Sequence, residues 1–180
     1  MSNENLWAPW RLDYLRSVVD PSSGPEPKPG CFLCDAGALP VGRPPAHPDA
    51  ARHFVLLRDE RGLIMLNRYP YTNHHLLVAG AGHRATLADH SPSERAGLME
   101  LIALGERLLQ RAVQCQGMNI GINVGKAAGA GVPGHLHVHL VPRWAGDVNY
   151  MTTIGQVRVI PQALESSYGQ LVEALRGLEG

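Results

Sequence analysis

The chain has 180 residues, 16 of them basic and 16 acidic, so its formal net charge is zero and no global field draws it to nucleic acid or an anionic membrane. An apolar share of 44% and a charged share of 18% suit a soluble globular protein. One domain of this size buries on the order of 70% of the surface its unfolded chain exposes. Three cysteines, an odd number, argue against a secreted disulfide scaffold. No apolar run is long enough for a bilayer, and "SNENLWAPWRLDYLRS" after Met1 lacks the core of a signal peptide; the expected compartment is the reduced cytoplasm.

Along the chain, the proline- and glycine-rich stretches 20–30 and 40–50 predict irregular surface loops around a small knuckle, "CFLCDAG". Apolar runs at 54–57, 62–67 and 74–80 predict strands, the first two joined as an antiparallel hairpin around "RDERG". Residues 91–114 form the clearest helix. Ser91 can cap it, Pro92 suits its first turn and Glu94 completes a capping box. Leu98, Leu101, Ile102, Leu108, Leu109, Ala112 and Val113 make one apolar face, which Gly105 weakens slightly. "MNIGINV" (118–124) alternates as a strand, a glycine-rich loop follows, and "QVRVI" (156–160) and residues 161–178 predict a last strand and a terminal helix. Strands in neighbouring antiparallel pairs with few helices indicate an α+β class.

The segment "GHLHVHLVPRW" (134–144) places His135, His137 and His139 at every second position. On a strand these imidazoles share one face, and Leu136, Val138 and Leu140 point the other way, into a core. Three buried imidazoles need partners for six ring nitrogens, so a purely structural row is costly. Two chemistries fit better. Three histidines and a water would make a catalytic zinc site. Alternatively one imidazole attacks phosphorus and later departs, splitting one displacement into two. The glycine-rich loop before the row and Arg143 after it can approach an anion.

"HLHVHLV" resembles the signature of the histidine triad (HIT) family of nucleotide hydrolases and transferases. "LWAPWRLDYLRS", "LNRYPYTNHHLLVA", "INVGKAAGAGVPGHLHVHLVPRWAGDVNYM" and "VRVIPQAL" extend the resemblance to the branch with bacterial diadenosine tetraphosphate phosphorylases and related hydrolases. It implies a HIT-like fold, with an antiparallel sheet, one long helix and a C-terminal helix, whose sheets pair in a homodimer or a higher homo-oligomer. The implied layout is a single domain over 1–180: an extension (1–30), the Cys-x-x-Cys knuckle and loop (31–50), the HIT core (51–146) and a C-terminal strand and helix (147–180).

The resemblance makes His137 the nucleophile on an α-phosphorus, with His139 contacting the phosphate and His75 supporting the triad's hydrogen bonds. Asn67 corresponds to a contact with the nucleotide, usually its ribose, and Asn123 to a polar residue near the phosphates. The loop 128–131, with Gly129, Ala130 and Gly131, would offer N–H donors. Cys31, Cys34, His83 and His135 match a structural zinc set of some branches, closed and tetrahedral. No organic cofactor is implied.

The expected activity is cleavage of dinucleoside polyphosphates, with phosphate (ADP and ATP products) favoured over water (AMP and ATP) as second acceptor. A mononucleotide is also an expected ligand; a stable nucleic-acid or membrane partner is not. Action on other nucleotidyl substrates, a metal-dependent hydrolase with zinc on the three triad histidines, and a nucleotide-binding regulator are the alternatives. Trp7, Trp10 and Trp144 read as packing anchors, Lys126 and Arg11 as exposed charges, Cys115 as a small buried hydrophobe. His47, His53, His74 and His90 read as loop or exposed residues without a role.

Overall fold

A computed structural model describes residues 30–42, 48–147 and 162–178. The N-terminal extension with Trp7, Trp10 and Arg11, His47, and the expected strand 156–160 lie outside the described residues. The first elements are two short helices, α1 (Phe32–Gly37) and α2 (Pro48–Arg52). The first coincides with the expected knuckle, and the second begins inside the loop expected over 40–50. In α1 the fully buried Leu33 and Ala36 supply the anchoring contacts that a bare loop would lack.

Five strands follow: β1 (Val55–Asp59), β2 (Gly62–Leu66), β3 (Leu76–Gly80), β4 (Gly117–Ile122) and β5 (His137–Arg143). They form one antiparallel sheet in the order β1-β2-β3-β5-β4. The hairpin turns as its charged linker predicts, and Gly62 pairs with Asp59 at its corner. At φ +150°, a Cβ on Gly62 would lie 2.0 Å from the Ala79 carbonyl oxygen, so only glycine fits.

Between β3 and β4 runs α3 (Pro92–Val113), and α4 (Leu164–Arg176) closes the described chain. The Ser91–Glu94 capping box is formed in both directions. Leu98, Leu101, Leu108 and Leu109 pack against Ile64, Leu76, Val78, Val138 and Leu140, making the main core on one face of the sheet. Gly105 is the point of closest approach, because a Cβ there would meet Leu140 Cδ2 at 2.8 Å. Its absent side chain lets helix and sheet touch, which outweighs the helix propensity it forfeits.

The opposite face is covered only in part. Val55, Leu63, Met65, Leu77 and Ala79 pack under α1 and α2 around Leu33, Ala36 and Ala50. Along β5, Val138 and Leu140 point into the main core, while His137 and His139 lie on this second face, opposite Ala79 and Leu77 of β3. His135 lies just before β5, so the strand itself carries two of the three histidines.

Candidate active site

The second face leaves an opening beside α1 and α2, and the two strand histidines occupy its floor. The cavity has a volume of about 500 Å³. Phe32, Phe54, Met65, Leu77 and Val132 form its apolar wall, and His137, His139, Asn67, Gly129 and Gly131 its polar one. Such a mixed lining suits a ligand with a flat apolar part and a polar or charged part.

His137 is buried, and its Nδ1–H donates to the His135 carbonyl oxygen at 2.9 Å. That bond commits the proton to Nδ1 and leaves the Nε2 lone pair bare, the form in which an imidazole is nucleophilic. His139 is held differently. Tyr71 N–H donates to His75 Nδ1 at 3.0 Å, and the Asn67 side-chain amide donates to the same nitrogen at 3.2 Å. Tyr69 N–H in turn donates to Asn67 Oδ1, which keeps the amide nitrogen turned to His75. With Nδ1 accepting, His75 carries its proton on Nε2 and donates it to His139 Nδ1 at 3.0 Å. The proton of a neutral His139 is therefore on Nε2. The Asn123 amide nitrogen lies 3.5 Å from that nitrogen, so a half-turn of the amide is what brings its oxygen round to accept.

His75 is fully buried, and burial first, then the neighbouring His139 and His137, push its pKa down to about 3. It is neutral at any working pH, as the relay requires. The linkage follows directly. Unfolded, His75 takes a proton near pH 6.5, whereas folded it resists one down to about 3, so stability drains as pH falls from 6.5 toward 3. Between pH 7.5 and 4.5 the wild type is expected to lose about 2–3 kcal/mol more than His75→Gln in denaturant unfolding. Equal losses would mean that His75 is not the group resisting the proton.

The loop before β5 behaves less uniformly than its glycines suggest. Gly129 N–H donates to Lys126 O and Ala130 N–H to Gly125 O, so both are spent inside the loop. Gly131, next along the loop, lines the cavity. Lys126 is exposed, as expected. Arg143 is tied to Asp147 and Asn119, and Trp144 packs on the main core, so neither lines the cavity.

A second cluster lies at the far end of His135. Cys31, Cys34, His83 and His135 bring one ligand atom each to within 4.8 Å of one another, a set able to hold a metal ion. Cys31 Sγ and Cys34 Sγ both lie 3.4 Å from His135 Nδ1, and Cys34 Sγ lies 3.2 Å from His83 Nδ1. His135 Nε2–H donates to Gly80 O at 3.2 Å, which leaves Nδ1 unprotonated toward the cysteines.

A family model described as the HIT domain matches residues 49–146, more than half of the chain. The chain belongs to the HIT family. An AP-4-A phosphorylase of Mycobacterium tuberculosis is 35% identical over 91% of this chain and 80% of its own length. An asymmetrical bis(5'-nucleosyl)-tetraphosphatase of Schizosaccharomyces pombe is 31% identical over 52% of this chain and 50% of its own. Among solved structures, a Zn-bound histidine triad family protein from Mycobacterium smegmatis superposes with a TM-score of 0.59 at 32% identity, covering 83% of this chain and 96% of the other. The α+β fold with its antiparallel sheet, one long helix and a C-terminal helix is that of these HIT structures.

In this HIT protein the three triad histidines face different partners: His135 faces the cysteines, His137 Nδ1 is bonded to His135 O, and His139 Nδ1 is bonded to His75. One sequence reading needs correction: His74 and His90, read as loop or exposed residues, are buried. Sequence reasoning also missed Tyr71, whose N–H sets the His75 tautomer and whose ring lies 5.7 Å from that of His139. The signal available was its place four residues before His75 in a proline-containing turn. Arg52, His53 and Arg68, also in the cavity lining, had no signal at all.

Proposed function

We propose that the chain cleaves dinucleoside polyphosphates such as diadenosine tetraphosphate through a nucleotidyl-histidine on His137. The observation that carries this reading is the His137 tautomer: Nδ1 is engaged by a main-chain carbonyl, and the free nitrogen belongs to a ring lining a cavity of nucleotide size. The names of the Mycobacterium and yeast relatives support the substrate class.

In the first step the His137 Nε2 lone pair attacks the α-phosphorus, forming an N–P bond as the bond to the bridging oxygen breaks. ATP leaves. His139 Nε2–H, fixed by the His75 relay, donates to a phosphoryl oxygen on which charge grows, and Gly131 N–H provides a second donor. Asn123 is near the same oxygens, and Asn67 reaches the ribose while holding His75. In the second step inorganic phosphate attacks the nucleotidyl-histidine from the opposite side, the N–P bond breaks and ADP is released. Water in its place would give AMP.

We assign zinc to Cys31, Cys34, His83 and His135. Tetrahedral zinc spaces its sulfur and nitrogen ligands about 3.3–3.8 Å apart; three separations are already 3.2–3.4 Å, and the set, within 4.8 Å overall, need close only slightly around the ion. Four protein ligands leave no open position, so the metal's contribution is to pin α1 and the start of β5 to each other. In the same reading residues 1–180 form a single HIT domain that works as a homodimer in the cytoplasm.

Incubation of the protein with diadenosine tetraphosphate, with and without inorganic phosphate, tests the reading. ADP with ATP, formed only with phosphate, is the expected result. AMP with ATP regardless of phosphate would make water the acceptor. Nucleotide binding without cleavage would leave a regulatory protein and overturn the proposal.

A further inference from the structure

His75 is the hinge of the relay, yet the residue before it is oddly placed. His74 has φ +60°, in the left-handed region that strains a side-chain-bearing residue. It is 4% exposed, although nothing in its sequence context calls for burial. Its Nε2–H donates to Gln170 Oε1 at 3.0 Å, a contact spanning 96 residues between this turn and α4. Gln170 is itself fixed from the other side, because its amide nitrogen donates to Ala112 O at 2.8 Å. That carbonyl lies in the last turn of α3, where helical partners run out. One glutamine thus joins the end of α3, the terminal helix and the strained turn.

We infer that Gln170, acting through His74, is a positioning residue that holds the His75 ring where it can set the His139 proton. The tether fixes the backbone immediately before His75, whose Nδ1 must meet Tyr71 N–H and Asn67 together while Nε2 meets His139. Release of the tether lets the turn relax out of its strained conformation and rotates the ring. His75 then samples both tautomers, and His139 no longer presents its proton from Nε2 alone. The burial that lowers the His74 pKa keeps this tether neutral, so that it acts as a mechanical link. Thr72 Oγ1, 3.4 Å from Pro142 O, gives the same turn a weaker hold on β5.

The functional consequence rests on the proposed role of His139, but the tautomer does not. Imidazole ¹⁵N–¹H correlation spectra of the full chain at neutral pH read it without substrate. The wild type is expected to show His75 and His139 as Nε2–H tautomers. Gln170→Leu and His74→Leu, which keeps the strained backbone but removes the donor, should each give a mixed His75 signal and a kcat lower by about 10-fold, with KM little changed. The double variant should be no worse than either single one, since both cut one tether. Gln170 is exposed, so Gln170→Leu should stay folded even if His74→Leu does not. His74→Gly, which takes a positive φ without strain, should hold the wild-type tautomer better than His74→Leu although it too lacks the donor. A wild-type His75 tautomer in Gln170→Leu, or losses that multiply in the double variant, would overturn the inference. A wild type without activity would sink the proposed function and leave the tether to be decided by the spectra.

Discussion

His137→Gly is expected to abolish cleavage of diadenosine tetraphosphate, with kcat falling by ~10⁴-fold or more, while His139→Gln loses only ~10²-fold. The asymmetry follows from what each ring can supply. Within the triad and its relay no other imidazole offers a bare nitrogen at the cavity floor: His135 is turned to the cysteines, His75 is fully buried behind His139, and His139 carries its proton on Nε2. Losing the nucleophile removes the covalent route altogether. Losing the His139 donor weakens stabilisation of the phosphoryl charge but leaves attack possible. A second observation separates the covalent route from direct displacement. An N–P bond survives alkali and breaks in acid, so wild-type protein quenched in base during turnover should carry the added mass of one nucleotidyl group, absent in His137→Gly. Equal losses at His135, His137 and His139, with no covalent adduct, would remove the nucleophile mechanism.

The readable part of this site was the part encoded by local periodicity. Alternation of His and Leu or Val across 135–140 predicts which face each residue takes, and the main core does receive Leu136, Val138 and Leu140. The helix over 91–114 was legible for the same reason, through its caps and its three- and four-residue spacing. What depends on contacts between distant segments was not legible. Nothing near Gly105 announces that Leu140 packs against its bare backbone, and nothing near His74 points to Gln170. The loop 128–131 failed in a subtler way. Its composition permits anion binding, but two of its N–H groups close the loop on itself, a matter of backbone geometry that composition does not specify. Family resemblance bridged part of this gap, because the Cys31–Cys34 pair, His83 and His135 lie far apart in the chain, yet the fold gathers them.

Removal of the metal should act on stability first and on chemistry second. A chelator strong enough to strip zinc, or Cys34→Ser, is expected to lower the melting temperature by roughly 10 °C or more, as a loss of ~4 kcal/mol does in a domain of this size. The cluster ties α1 to His135, and α1 supplies Leu33 and Ala36 to the smaller core and Phe32 to the cavity wall. Atomic absorption should find one zinc per chain before treatment and none in Cys34→Ser. Well below the new melting point, kcat should persist within a few-fold of the wild type, because neither His137 nor His139 ligates the ion and the His137 Nδ1–H bond goes to main chain. The residual effect should appear in KM, as the cavity wall loosens with α1. Complete loss of kcat at a temperature where the chain remains folded, restored by zinc alone, would assign the metal a direct part in the reaction. A melting temperature indifferent to both treatments would mean that the four residues hold no ion in solution.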